Sequence, residues 1–127
     1  MVDPRVDDVK VFVPCRDFEQ SLSFYVALGW RINWRDIDLA ELEAGGARFL
    51  LQDFYVEELA RHFRMYIPVK DVRIWRERVR DVLATGRYPD ATYSEPEAQI
   101  SGALIMCVWD PSGVLLQFAQ KPDQHRI

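Results

Sequence analysis

Two stretches of this sequence carry the same set of polar and aromatic side chains, which together could bind a small ligand. Each stretch supplies one cation, one aromatic ring and one side-chain amide: Lys10, Phe12 and Gln52 in the first, and Arg64, Tyr66 and Gln117 in the second. Cations form charge-assisted hydrogen bonds with anions, and aromatic faces stack on flat groups. If they converge, these side chains suit a small planar or anionic ligand. The alternative is an internal network of Lys or Arg with Asp or Glu that only fills the protein.

The sequence gives little support to other kinds of chemistry. It has no Gly-x-Ser-x-Gly nucleophile motif, no Cys-x-x-Cys pair and no glycine-rich phosphate loop. Cys15 and Cys107 fall on expected strands, where a thiol is usually buried and unreactive. The carboxylates are numerous, but no two of them form a convincing acid–base pair. We therefore predict no catalytic residue.

The composition predicts one globular domain with no nucleic-acid or membrane partner. The chain has 127 residues, 49% of them hydrophobic, and a formal net charge of -4. Its acidic pI of about 5.1 lacks the basic surface that nucleic-acid binding needs. No apolar run approaches the roughly 20 residues of a membrane span, and residues 1–5 lack the apolar core of a signal peptide. With only two Cys, we expect a cytoplasmic protein with reduced thiols.

The candidate side chains belong to a sequence repeat. Residues 10–17 (Lys-Val-Phe-Val-Pro-Cys-Arg-Asp) match residues 64–71 (Arg-Met-Tyr-Ile-Pro-Val-Lys-Asp) in class at every position. The tripeptide Leu-Leu-Gln also occurs twice, at 50–52 and at 115–117, in the same order relative to the first match. This pattern indicates internal duplication. The expected boundaries are module 1 at 8–54, a linker at 55–61, module 2 at 62–120 and a tail at 121–127.

Each copy predicts the element order βαβββ. A strand with a late Pro precedes Asp17 or Asp71, which are typical N-caps, and Gly29 or Gly86 follows the helix. Strand-like segments follow each helix, at 30–35, 37–43 and 47–54 in the first copy and at 91–94, 102–109 and 114–119 in the second. Residues 87–100 are expected to form a surface loop. The predicted fold is an α+β domain with eight strands.

The residues of these elements carry a family resemblance. The run Asp-Phe-Glu-Gln-Ser-Leu-Ser-Phe-Tyr at 17–25, followed by Leu-Gly-Trp at 28–30, resembles the first helix of the glyoxalase / bleomycin resistance / extradiol dioxygenase superfamily, also called vicinal oxygen chelate. The segment Asp-Pro-Ser-Gly-Val-Leu-Leu-Gln-Phe at 110–118 resembles its closing hairpin. The resemblance implies two βαβββ modules forming a curved eight-stranded sheet around a cleft, commonly completed in a homodimer.

The resemblance also indicates where metal-dependent members hold a divalent cation. The matching positions are Lys10, Gln52, Arg64 and Gln117. Lys and Arg have no free lone pair at neutral pH, and the Gln carbonyl is a weak ligand. His62 is the nearest imidazole and is expected on the same strand face as Arg64. Because these positions depart from the metal-binding pattern, we predict neither a metal nor a cofactor.

The chain is therefore most similar in character to the metal-free, bleomycin-resistance-like members. We predict a homodimeric, metal-independent protein that binds a small molecule, sequestering an antibiotic or binding a small planar or anionic metabolite. Trp34 and Trp109 complete the expected ligand-binding set. Trp34 is expected to line either the cleft or a dimer contact, and Trp109 is expected at the rim. One alternative is a lyase, isomerase or dioxygenase-type enzyme that uses unusual metal ligands or acid–base catalysis. Another is a partner-binding domain that uses the row Arg73, Arg76 and Arg80.

Overall fold

The computed structural model describes residues 2–122, so most of the expected tail lies outside the described residues. The first half contains β1 (Phe12–Cys15), α1 (Phe18–Leu28), β2 (Arg31–Arg35), β3 (Leu39–Ala44) and β4 (Ala47–Asp53). The second half contains α2 (Glu57–His62), β5 (Arg64–Val69), α3 (Val72–Ala84), β6 (Thr92–Tyr93), β7 (Glu97–Ala98), β8 (Leu104–Trp109) and β9 (Leu115–Gln120). The helices within 2–122 lack the combination of length and apolar character needed to cross a lipid bilayer.

The strands form two sheets, one from each half of the chain. The first has the order β1-β4-β3-β2, and the second has the order β5-β9-β8-β6 with β7 also paired to β8. In each sheet the first strand runs parallel to the last strand of the same half, and the other pairs are antiparallel. The predicted α+β class is confirmed. The strand count differs from eight, because residues 97–98 of the expected loop pair with β8.

Local sequence signals set the ends of the helices as predicted. The Asp17 side chain accepts a hydrogen bond from the Gln20 backbone N–H at 3.0 Å, which caps the start of α1. Gly29 ends this helix at a φ of 111°, in the left-handed region that glycine adopts without strain. Asp71 caps α3 in the same way, by accepting from the Arg73 N–H at 3.0 Å. Both helices are thereby fixed directly after the first strand of their half.

Aromatic side chains from α1 and the first sheet form the centre of the core. Tyr25 packs edge-to-face against Trp30 and Phe49, with ring centroids 6.3 and 5.2 Å apart. Phe24 and Leu28 are fully buried beside them. Edge-to-face packing brings the positive edge of one ring to the negative face of another. Trp30 belongs to this core.

A buried carboxylate joins the turn between β8 and β9 to the first half. Asp110 accepts hydrogen bonds from the backbone N–H groups of Ser112 and Val114, at 2.8 and 3.0 Å, which hold the turn closed. The Tyr25 hydroxyl of α1 donates to the same carboxylate at 2.6 Å. The Arg16 N–H, just before α1, donates to the Ser112 hydroxyl at 2.9 Å. The two halves therefore share a buried polar contact as well as apolar packing.

Candidate functional site

Four of the predicted site residues lie on one face of the second sheet. Strand register places Tyr66 beside Gln117, and it places Arg64 and Trp109 on either side of Leu115. Residues in register across adjacent strands point to the same side of a sheet. Arg64, Tyr66 and Trp109 are exposed, and Gln117 is half-buried. This surface, the second open face, therefore presents a cation, an amide and two aromatic rings together.

The other four predicted residues lie on one face of the first sheet. Phe12 is in register with Leu50 of β4. The same row of residues continues through Glu41 of β3 to Trp34 of β2. Gln52 lies two residues beyond Leu50 and so on the same side. Lys10 precedes β1 and reaches this side as well, because its ammonium meets Glu41 in the same row of residues. We call this surface the first open face.

An ionic network neutralises Lys10. Its Nζ lies 2.5 Å from Glu41 Oε1, and the Asn33 amide donates to both Glu41 and Glu43 at 2.9 Å. Arg48 Nε in turn donates to Glu43 at 3.0 Å. The Lys10 ammonium and the Asn33 amide lower the pKa of the Glu41 carboxyl below its usual range. The alternative to a ligand site, an internal network of Lys or Arg with Asp or Glu, is therefore present around Lys10.

Arg64 differs from Lys10 in having no carboxylate partner. It forms no salt bridge with any residue of 2–122, and it is exposed at the start of β5. An unpaired guanidinium beside aromatic rings can bind a carboxylate or phosphate through two parallel hydrogen bonds. The anion-binding capacity of the predicted set therefore resides on the second open face.

The two glutamines are not structurally equivalent. Gln52 is in register with Pro14, whereas Gln117 is in register with Tyr66 rather than with Pro68, the counterpart of Pro14. The second sheet is thus shifted by two residues relative to the sequence match. Because side chains alternate with a period of two, this shift keeps Gln117 on the open face while moving it next to the ring.

The residues at the expected metal positions do not fit a divalent cation. They are two cations and two neutral amides, and one of those cations already neutralises a carboxylate. The expectation that His62 shares a strand with Arg64 is wrong, because His62 is the last residue of α2. Within residues 2–122, no three His, Cys, Asp or Glu side chains cluster at ligand spacing.

The two thiols have different surroundings. Cys15 is fully buried, and burial raises the pKa of its thiol to about 12, which suits an inert core residue. Cys107 is half-buried and lies in register with Gln117, on the second open face. The expectation that the Cys107 thiol is buried is therefore met only in part. Both are free thiols.

The arginine row of α3 is occupied by contacts within the chain. The Arg76 guanidinium donates bidentate hydrogen bonds to the Glu95 carboxylate, and Arg73 forms a salt bridge with Asp71. Arg80 lies 3.7 Å from a carboxylate oxygen of its neighbour Asp81. These local ion pairs are typical of a solvated helix face.

A cavity of about 540 Å³ lies beside β5, and most of its lining was not predicted as a site. Arg64 and Tyr66 are the two predicted ligand-binding residues that border it. Its other walls include Trp30, Phe49 and Trp75, which were not predicted as ligand-binding residues. No sequence signal separates a core aromatic that packs fully from one that borders a cavity.

Comparisons with known proteins identify the fold. No protein-family model matches the chain, and no curated protein matches its sequence. A bleomycin resistance determinant encoded on the transposon Tn5 matches with a TM-score of 0.76 and 26% identity, over 91% of this chain and 98% of that one. A bleomycin-binding protein complexed with bleomycin matches with a TM-score of 0.75 and 25% identity, over 91% and 99%. A glyoxalase/bleomycin resistance protein/dioxygenase from Nocardioides matches with a TM-score of 0.71 and 18% identity, over 97% and 89%.

Proposed function

We propose that this chain, which has the glyoxalase-like fold of the bleomycin resistance proteins and is consistent with the vicinal oxygen chelate superfamily, binds a small organic molecule and sequesters it unchanged. The observation that carries the proposal is the unpaired guanidinium of Arg64 on an open sheet face. Tyr66 and Gln117 lie in the adjacent row. A structurally similar bleomycin-binding protein forms a complex with bleomycin, which supports a ligand-binding role here.

The chemistry of the second open face favours a planar ligand with an anionic group. Arg64 would bind the anion, and Tyr66 and Trp109 would contact the flat part of the ligand. Gln117 can donate and accept, so it would select the position of a ligand carbonyl or hydroxyl. The face has no carboxylate in the two rows that these residues occupy, so a cationic ligand would lack a counterion there.

Binding is proposed to be independent of metal. The four positions that would hold a metal in metal-dependent relatives carry Lys10, Gln52, Arg64 and Gln117. An added divalent cation would meet the positive charge of Arg64 without a compensating carboxylate ligand. We therefore propose that the side chains alone bind the ligand. We also propose that the protein is cytoplasmic.

A homodimer is proposed to complete the site. The two open faces each carry half of the predicted set, and exposed rings stand on both: Phe12 is 52% exposed and Tyr66 is 61% exposed. Exposed aromatic rings on two faces of one chain are typical of an interface or a ligand groove. In the proposed dimer, the first open face of one protomer lies opposite the second open face of its partner.

A thermal-shift titration of Arg64→Ala against the unchanged protein tests the proposal. The probes are 4-hydroxybenzoate as a small planar anion, bleomycin, and divalent metals with EDTA as a control. We expect 4-hydroxybenzoate to raise the melting temperature of the unchanged protein, because a ligand of the native state stabilises it. Loss of one charge-assisted hydrogen-bonding group, worth roughly 1.5–3 kcal/mol, should weaken binding by at least tenfold.

Arg73→Ala is the matched control, because Arg73 is an exposed arginine already paired with Asp71. It should leave the ligand-induced shift unchanged. Equal affinity in the Arg64→Ala and unchanged proteins would contradict the assignment of the second open face. A shift produced by metal and reversed by EDTA would contradict metal independence.

A further inference from the structure

We propose a second ligand site in the cavity beside β5, which borders the second open face at Arg64 and Tyr66 and takes a flat apolar molecule carrying one anionic group. The cavity lies between the core of the first half and β5, with Trp75 of α3 as part of its wall. Its volume of about 540 Å³ falls within the range of about 300–1,000 Å³ usual for small-molecule sites. The proposal does not depend on ligand binding at the open faces.

Aromatic and aliphatic side chains form opposite walls of the cavity. Trp30 and Phe49 stand on the side of the first sheet, with ring centroids 5.0 Å apart at an interplanar angle of 74°. Met65 and Ile67 stand on the side of β5. Trp75 is held in place by stacking on the buried ring of Phe118, with centroids 4.9 Å apart. Rigid aromatic walls of this kind suit a flat apolar ligand.

Small residues at the β3–β4 turn leave the cavity open. Ala44 and Ala47 face each other across the hairpin, and Gly45 lies between them. A larger side chain at Ala47 would occupy space that the structure leaves unfilled. The cavity therefore persists because the turn lacks bulk, which gives a direct way to close it by substitution.

Two polar groups supply the specificity of the site. The Trp30 Nε1–H is buried, and no acceptor among residues 2–122 bonds to it, which is uncommon for a buried donor. Arg64 borders the cavity without a carboxylate partner, whereas Arg48 at the same border is paired with Glu43 and Asp8. An anionic group would therefore bind to Arg64, with an acceptor atom of the ligand or an accompanying water near Trp30.

The probe for this site is 8-anilinonaphthalene-1-sulfonate, which is flat, apolar and anionic. The chain has four tryptophans, of which Trp30 and Trp75 line the cavity. A Trp34→Phe/Trp109→Phe variant therefore emits only from the cavity. We expect saturable quenching of this emission at one probe per chain.

Ala47→Phe, made in the same background, should weaken probe binding at least tenfold by filling the cavity. Ala98→Phe is the matched control, because Ala98 is exposed on β7 and away from the cavity. Ala44→Leu is a second closing variant, in case Ala47→Phe fails to give a cooperative thermal transition.

Unchanged affinity in both folded closing variants would overturn the proposal. Loss of probe binding on replacing Trp34 and Trp109 would overturn it too, and would assign the probe to the open faces. Absence of binding to the unchanged protein would also overturn the proposal, because the cavity would then not accept a flat apolar anion. None of these results depends on whether Arg64→Ala weakens 4-hydroxybenzoate, so the two proposals fail separately.

Discussion

The Asp110 carboxyl combines complete burial with three hydrogen bonds, and these act on its pKa in opposite directions. Burial disfavours the charged form, whereas the Tyr25 hydroxyl and the backbone N–H groups of the turn favour it. Burial is the larger effect, so the pKa of Asp110 rises from an ordinary 3.8 to about 6. The folded protein therefore holds a proton that the unfolded chain has already lost between about pH 4 and pH 6.

Because the native state binds more protons in that interval, the free energy of unfolding should fall as pH rises from about 4 to about 6. The contribution of this one group is up to about 3 kcal/mol. Asp110→Asn should remove this pH dependence of the free energy of unfolding. Its amide oxygen can still accept hydrogen bonds from the backbone N–H groups of the turn. Urea unfolding of the two proteins at pH 4, 5, 6 and 7 measures the difference, which also cancels the contributions of other carboxylates.

Asp90→Asn is the control for this series, since Asp90 is an exposed partner of Arg16. Its unfolding free energy should follow that of the unchanged protein across the same pH range. A constant difference between Asp110→Asn and the unchanged protein from pH 4 to pH 7 would show that Asp110 does not titrate there.

At the scale of elements, the start of α1 depends on a single side chain. Asp17→Ala removes the acceptor for the Gln20 N–H and should lower the free energy of unfolding by about 1 kcal/mol. Asp17→Ser keeps an N-cap acceptor and should recover most of that loss. Chemical denaturation of the three proteins provides the comparison. An Asp17→Ala variant as stable as Asp17→Ser would mean that the cap contributes nothing.

The elements were predictable because their signals are local. Asp17, Gly29 and Asp71 mark helix ends through hydrogen bonds and dihedral angles that involve only neighbouring residues. The short β7 pair was not predictable, because residues 97–98 become strand only through pairing with β8. Strand formation that depends on a distant partner leaves little trace in the local sequence.

The faces on which the candidate residues lie were predictable, whereas their contacts were not. Alternation along the strands predicted that Arg64 and Tyr66 share a sheet face, and the register places Gln117 beside Tyr66 on that face. Their role in ligand binding stays a prediction. Neutralisation of Lys10 by Glu41 depends on how β1, β4 and β3 are aligned with one another. This register could not be derived from the sequence alone. The two-residue shift of the second sheet is likewise a property of pairing.

At the scale of the whole molecule, the proposed dimer predicts that one charged substitution will separate the protomers. Phe12→Lys places an ammonium on the first open face, where the unpaired guanidinium of the partner's Arg64 would repel it across the proposed interface. We expect a dimer for the unchanged protein and a folded monomer for this variant, measured by sedimentation velocity across a range of concentrations.

Ile74→Lys is the control for the dimer, because Ile74 is an equally exposed apolar residue on α3, away from both open faces. It should leave the sedimentation coefficient unchanged. A monomeric unchanged protein at every concentration would contradict the dimer, and would limit ligand binding to what one open face provides.

Pairing of the first strand with the last strand in each half has a consequence for how the chain folds as it is synthesised. The partner of Phe12 is Leu50, so the first sheet can close once β4 has left the ribosome. The second sheet must await β9, near the end of the described chain, where Leu115 meets Arg64. Until then, β5 has no partner on which to form a sheet. The first half can therefore act as a preformed surface on which the later half assembles.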